Sequence, residues 1–282
     1  MRCPHAAVLD NRSILAKPPG EAVLDTLANM SEITPVRLFH PGPMTGGDVL
    51  QLDPQTSHHA VRVLRLDPGT RLELFNGDGL RHEARLLDGD PKGASVQVLG
   101  SRDAGTESPL SIRLVQALPS GDKMDWVVEK AVELGVIAIQ PLFSARSLLR
   151  LDAARAAKRL AHWQRIVVAA SMQSGRDRLA QVLEPRDFNG WLADSGDGRS
   201  DDDRIQRLVL SPHEGKRLDS LDAGHREVWL LVGPEGGFDA TELAAAKAHG
   251  WSALQLGPRV LRTETAGLAA IAALQARWGD LA

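Results

Sequence analysis

The residues with the most chemistry to offer lie in two Gly-Pro loops. Gly233-Pro234-Glu235-Gly236-Gly237-Phe238 follows the apolar run Val228–Val232 and leads into a helix that opens at Asp239. Leu256-Gly257-Pro258-Arg259-Val260-Leu261-Arg262-Thr263-Glu264-Thr265 follows a short strand-like run that starts at Ala253. In an open parallel sheet, ligands bind beyond the carboxyl ends of the strands. Glycine there lets them approach the backbone, and loop amides can face their polar groups. No Gly-Lys-Ser/Thr follows the first loop, so it is not a Walker loop, and its glycines do not fit G-x-G-x-x-G. Alone, it reads equally well as a tight turn with nothing bound. Two such loops, the second ending in a cation, two hydroxyls and a carboxylate, predict a pocket of converging polar groups. The plainer alternative for the second loop makes Thr263 a helix N-cap and Arg262 with Glu264 a solvated ion pair.

Loops of this kind need alternating strands and helices to carry them, and the sequence supplies these from residue 108 onward. Strands are predicted at Ile112–Leu118, Val136–Phe143, Leu208–Leu210 and Val228–Val232. Helices are predicted at Lys123–Leu134, closed by Gly135, over the Ala-rich stretch 152–172, at Asp239–His249 with a capping box from Asp239 and Glu242, and at Glu264–Trp278. That order implies an α/β domain with a mostly parallel sheet covered on both faces. Residues 36–107 read instead as a β-rich module, with strands near Val36–Phe39, Val49–Leu52, Arg71–Phe75 and Ser95–Leu99. Turns are expected at Pro68-Gly69, Asn76–Gly79 and Asp88–Pro91. One helix interrupts, His58–Leu66, with Val61 and Leu64 facing inward and His58, Arg62 and Arg65 sharing the outer face. Asp103–Pro109 marks the boundary between the two parts. Residues 1–29, ahead of Met30, are expected to be a loose extension whose removal leaves folding and activity intact, with ordered structure starting after residue 35. The acidic stretch Asp194–Asp203 is expected to be a mobile loop.

A length of 282 residues suits about two domains, and 43% hydrophobic with 24% charged residues excludes a disordered or fibrous chain. Cys3 is the only cysteine, which excludes an intrachain disulfide and a Cys-based zinc site and makes a reducing cytoplasm the simplest setting. No apolar run approaches the roughly 20 residues needed to cross a bilayer, so no membrane partner is expected, and with a single cysteine no metal either.

The loops GPEGGF and LGPRVLRTETA together resemble the base-methylating SPOUT family that makes 3-methyluridine in small-subunit (16S) ribosomal RNA, the RsmE type. The likeness extends from Val36 to Ala282 through Arg37-Leu38-Phe39, HHAVRVLRLDPG from His58, GDKMDWVVEKAVELGV from Gly121, QSGR at Gln173–Arg176 and the terminal ALQARWGDL. The resemblance implies an N-terminal PUA-like β-barrel over 36–107 and a SPOUT α/β domain over 108–282. The latter would end in a deep trefoil knot, an exception to the usual unknotted connections. It further implies S-adenosylmethionine as cofactor, a homodimer packed through the knot region, and 16S rRNA in the small ribosomal subunit as partner. Cofactor contacts are then expected from Leu210, Gly233, Pro234, Glu235, Gly236, Gly237, Leu256, Gly257, Leu261 and Thr263. Arg262 and Arg176 are candidates to stabilise negative charge developing on uracil, and Glu264 to accept the N3 proton. RNA contacts are expected at Arg37, His58, His59, Arg62, Arg65, Lys123 and Arg146, Lys123 being able to reach either a phosphate or the pocket. Met172 departs from the family, which usually has Glu there, and Leu179-Ala180 stand where a proline often follows. A SPOUT enzyme acting on another RNA position or a ribose hydroxyl, or a non-catalytic RNA-binding assembly factor, are the alternatives.

The net charge of -3 gives no hint of RNA, but the charge is unevenly spread. Arg146–Arg186 holds nine basic and three acidic residues, whereas Ala193–Glu227 holds six basic and nine acidic ones. A local docking surface for a phosphate backbone is therefore expected in the α/β domain.

Overall fold

The computed structural model describes residues 35–147, 152–194, 205–222 and 226–281. The expected N-terminal extension and all but the first residue of the acidic stretch 194–203 lie outside the described residues, as does Arg150. From Arg37 onward the described residues pack as one unit.

Five short strands form the first sheet: β1 (Val36–Phe39), β2 (Val49–Gln51), β3 (Arg71–Phe75), β4 (Arg81–Leu86) and β5 (Ser95–Arg102), in the order β1-β3-β4-β5-β2. The pairings β3–β4, β4–β5 and β2–β5 are antiparallel. Strand β4 is absent from the sequence reading because its inward face is His82, Ala84 and Leu86, a weak apolar signal. His82 is nevertheless buried, held between Ser101 Oγ at 2.7 Å and Asp78 Oδ2 at 3.2 Å, as a core polar group must be.

The helix expected at His58–Leu66 is corrected by the structure. Asp53 caps the amides of Gln55 and Thr56, and Pro54 supplies a preset φ, so α1 starts earlier and runs Pro54–His58. A π turn, His59–Val63, follows, closed by the Leu64 amide on His59 O at 2.9 Å. Its extra residue rotates the register. Ser57 and Ala60 face the core, Val61 is only half-buried and Leu64 is exposed, while His58, Arg62 and Arg65 are exposed as expected.

The second sheet has eight strands on its main path and branch: β6 (Ser111–Ala117), β7 (Ala138–Phe143), β8 (Gln181–Val182), β9 (Arg186–Asp187), β10 (Ile205–Leu210), β11 (Lys216–Arg217), β12 (Glu227–Val232) and β13 (Ser252–Gln255). The order is β11-β13-β10-β12-β6-β7-β8, with β9 also on β7, and every pairing is parallel. Helices α2 (Lys123–Glu133), α3 (Ala153–Ser174) and α6 (Thr263–Trp278) cover one face, where Ile112, Leu114, Val128, Trp163, Leu230 and Ile271 pack together. Helices α4 (Phe188–Asp194) and α5 (Ala240–Ala248) cover the other, around Val115, Leu231, Trp191, Phe238 and Trp251. Sandwiched strands of this kind must be apolar on both sides, which is why they were readable as continuous runs. Among the described residues no helix is long and apolar enough to cross a membrane, and no cluster of metal-ligating side chains is found.

Candidate active site

Several strand ends converge on the first glycine loop. Glu235 reaches across to the loop after β6, where its Oε1 accepts from the Ser120 amide (3.0 Å), Ser120 Oγ (2.6 Å) and Lys123 Nζ (2.7 Å). From the loop after β7, Arg146 Nη1 donates to Gly236 O at 2.7 Å, and the Ala145 amide donates to Glu242 Oε1 at 2.7 Å. Glu242 also accepts from the Asp239 amide while Asp239 caps the Glu242 amide, so the predicted capping box both starts α5 and ties it to β7. The loop folds tightly on itself. A Cβ at Gly233 would lie 3.2 Å from Gly237 Cα and from the Phe238 nitrogen, so a side chain there would push the loop's own backbone apart.

Thr263 pins the second loop to the first. Its hydroxyl donates to Gly233 O and accepts from Gln116 Nε2 at 3.0 Å, and the same Nε2 donates to Ala117 O at 2.9 Å. Thr263 is therefore not a helix N-cap. That position is Arg262, which makes no side-chain capping bond. Lys123 serves two carboxylates, because Glu264 Oε2 also lies 3.8 Å from its Nζ. Arg262 is close enough to oppose the charge on Lys123. Glu264 Oε2 and Gln116 Oε1 are both buried without a hydrogen-bond partner. Such orphaned acceptors call for donors from outside the chain.

Glu235 is electrostatically the most perturbed of these groups. Burial works to raise its pKa, but the hydrogen bonds from Lys123, from Ser120 and from backbone amides outweigh that and hold it at about 2, against an ordinary 4.5. The same bond pushes Lys123 up. A depressed folded-state pKa contributes stability that is complete above the unfolded value and disappears as pH falls through the folded one. The melting temperature of wild type relative to Glu235→Gln is thus expected to be constant above about pH 4.5 and to shrink progressively towards pH 2. Paired melts across that range check it, and a difference that never shrinks would remove the carboxylate as its source.

The structure places the other expected residues as follows. Leu210, Leu256, Gly257 and Leu261 are half-buried at the ends of β10 and β13 or in the second loop, and Pro234 is buried. Lys123 and Arg146 lie at the glycine loop itself. His58, Arg62 and Arg65 are exposed and His59 half-buried on the β-rich module. Two residues are corrected. Arg176 is 4% exposed, and its guanidinium is spent on Glu107 (2.7 Å) and on the carbonyls of Val132 (3.0 Å) and Val136 (2.8 Å), so it cannot face uracil. The Arg37 side chain is only 8% exposed and its Nη2 is spent on Asp177 Oδ1 at 2.8 Å, so it does not present its charge as a surface RNA contact. Gln116 and Ser120 were missed. The signal was there: Gln116-Ala117-Leu118-Pro119-Ser120-Gly121 is a third loop following a buried strand and preceding a helix.

Comparison with known proteins bears directly on this arrangement. Residues 106–275 match the family model described as RNA methyltransferase domain, and residues 52–99 match the RNA methyltransferase PUA domain. A ribosomal RNA small subunit methyltransferase E from Buchnera aphidicola is 32% identical over 233 residues, covering 83% of this chain and 92% of that one. The protein of the same name from Mycobacterium bovis is 33% identical over 242 residues, covering 82% and 89%. Among solved structures, a ribosomal RNA small subunit methyltransferase E from Neisseria gonorrhoeae bound to S-adenosylmethionine superimposes with a TM-score of 0.80 at 39% identity, covering 88% of this chain and 99% of that one. A putative methyltransferase from Legionella pneumophila, also with bound cofactor, gives 0.80 at 34%, covering 88% and 100%. The likeness takes in both the β-rich module and the α/β domain and runs along most of this chain and of these relatives, and the chain belongs to the ribosomal RNA small subunit methyltransferase E family.

Proposed function

We propose that this chain transfers a methyl group from S-adenosylmethionine to N3 of a specific uridine in small-subunit ribosomal RNA. The observation that carries the reading is the buried, unpartnered Glu264 Oε2 beside Lys123 and Arg262, at the junction of the two Gly-Pro loops. The residues present fit such a cofactor: the glycine loop offers backbone with little side-chain cover, and Leu210, Leu256 and Leu261 offer apolar contact. S-adenosylmethionine, when bound, supplies a methyl group already activated on a sulfonium. The chain's own residues supply placement and proton handling. N3 of uracil is hidden in a duplex and a poor nucleophile while protonated, so the base must be unpaired and its proton removed. Glu264 accepts that proton, and Arg262 and Lys123 hold the resulting charge. His58, Arg62 and Arg65 on the module, with Arg146 at the loop, meet the phosphate backbone.

The same reading carries a closed PUA-like barrel over 36–107, a SPOUT domain over 108–282 with its knot, a homodimer through the knot loops and a cytoplasmic setting. The return of β13 to the far side of β10 after β12 supports the knot, and Val260, 69% exposed in the second loop, supports a subunit contact there. A methyl-transfer assay on unmodified small subunits, with mapping of the modified atom, tests the whole. N3-methyluridine is the expected product. A ribose methyl or another position would overturn the specificity, and no transfer despite cofactor binding would leave an RNA-binding factor.

Thr263→Val gives a sharper check on the pocket. It keeps the shape but strands the Gly233 carbonyl and the Gln116 amide, and a buried polar group left unsatisfied costs about 1–3 kcal/mol. S-adenosylmethionine affinity measured by calorimetry is expected to fall roughly 10- to 100-fold. Thr263→Ser should bind as wild type does.

A further inference from the structure

The segment Gly175–Leu179, between α3 and β8, is wired to both halves of the chain. Towards the α/β domain, Arg176 bonds the carbonyls of Val132 and Val136 at the end of α2, and Glu107 in the interdomain boundary. Towards the β-rich module, Asp177 is 1% exposed and takes Arg37 Nη2 (2.8 Å) on Oδ1 and Arg81 Nη2 (3.1 Å) on Oδ2, with Thr106 Oγ1 at 3.4 Å. Arg81 Nη2 also donates to Gly175 O at 2.7 Å, and Arg37 Nη2 to Arg176 O at 3.0 Å. The backbones meet as well. The Gly79 amide donates to Asp177 O at 3.2 Å, and Arg178 forms β-bridges with Gly77 and Asp78. Gly79, at a φ of 94°, has the Arg178 guanidinium directly against it, so the module's turn is seated on this segment.

We infer that Gly175–Leu179 is a strut that fixes the pose of the β-rich module against the catalytic sheet, and that Asp177 is a positioning residue for RNA. Arg37 on β1 and Arg81 on β4 come from different strands, and both guanidiniums are mostly buried. Asp177 is the anion they share, while Glu73 Oε2 stands 3.5 Å from Arg81 Nε on the module's own side, and two buried like charges without a shared counter-charge repel. Removing the carboxylate charge loosens the module about the Asp103–Pro109 boundary. The inference rests on the proposed RNA substrate in one respect: a single RNA must meet the module's exposed cations and the Glu264 pocket at once. Two linked contacts help each other only while their spacing is held. Loss of the strut therefore weakens RNA capture and leaves the chemical step nearly intact.

The test uses the full chain with Asp177→Asn and, on the module side, Arg81→Gln. Three quantities are read: S-adenosylmethionine affinity by calorimetry, KM and kcat on unmodified small subunits, and the rate of proteolytic cleavage at residues 103–109. Both variants are expected to keep cofactor affinity, to raise KM about tenfold or more with kcat little changed, and to be cut faster at the boundary. Unchanged KM and unchanged cleavage would overturn the strut. Loss of cofactor binding in both variants would also overturn it, by showing that the segment merely holds the catalytic domain together. A wild type that binds cofactor but does not methylate small subunits would refute the proposed substrate, while the cleavage rates would still decide the strut.

Discussion

Arg176→Met is expected to lower the melting temperature by on the order of 10 °C while leaving S-adenosylmethionine affinity at low temperature unchanged. The guanidinium is almost fully buried and makes charge-assisted bonds to Glu107 and bonds to two carbonyls that terminate α2 and precede β7. Methionine fills much of the volume but satisfies none of these groups. Glu107 is 23% exposed and keeps the Arg178 amide, so the cost is counted by the bonds lost, those of a charged group being worth about 1.5–3 kcal/mol each. At about 2–4 °C per kcal/mol for a chain approaching this size, the shift is unmistakable in a thermal melt. Lysine should not rescue it, because a single ammonium cannot span the carboxylate and both carbonyls in the guanidinium's fixed fork. The opposite pattern, an unchanged melt with turnover lost, would return Arg176 to the uracil pocket and overturn its structural role.

That an arginine in a motif-like QSGR segment proves structural shows where the sequence stopped being informative. The strand, glycine loop and capped helix around 228–249 were legible because each leaves a local mark: an apolar run, a Gly-Pro punctuation and a D-x-x-E spacing. The capping box formed as read. Arg176 and Arg37 carried no such mark, since burial of a cation depends on Glu107 and Asp177, which are 69 and 140 positions away in the chain. The same holds for Thr263. Its type and position at a helix entrance fit an N-cap, but its partners Gln116 and Gly233 are brought to it by parallel pairing of β6 with β12. The π turn failed for a different reason, because one inserted backbone bond changes the facing of every later residue and periodicity assumes none. The basic stretch 146–186 also changes meaning. Arg176 is consumed inside, Arg186 pairs with Asp194 and Arg155 with Asp152, leaving Lys158 and Arg165 on α3 and Arg178 just after it as exposed charge.

The largest kinetic effect is expected from Glu264→Gln, which should lower kcat about 100-fold or more with cofactor affinity nearly unchanged. Positioned proton transfer is typically worth about 10²–10⁴ in rate, and glutamine preserves shape while losing the ability to accept a proton. The structural ground is that Glu264 Oε2 is buried without a hydrogen bond, with Lys123 Nζ 3.8 Å away, whereas Oε1 of the neighbouring Glu235 takes three hydrogen bonds from Ser120 and Lys123. Of the two carboxylates around Lys123, Glu235 is therefore the anchor and Glu264 the one left to act. A purely structural Glu264, favoured only by the amino end of α6, would be worth about 0.3–1 kcal/mol of stability. Its replacement would then shift the melt by a few degrees and leave kcat alone. Single-turnover transfer at saturating cofactor and RNA separates the two, because neither weakened binding nor partial unfolding can slow the bound, folded enzyme. A Glu264→Gln rate within a few-fold of wild type would remove the proton acceptor from the mechanism, and with it the reason Lys123 and Arg262 are gathered at that point.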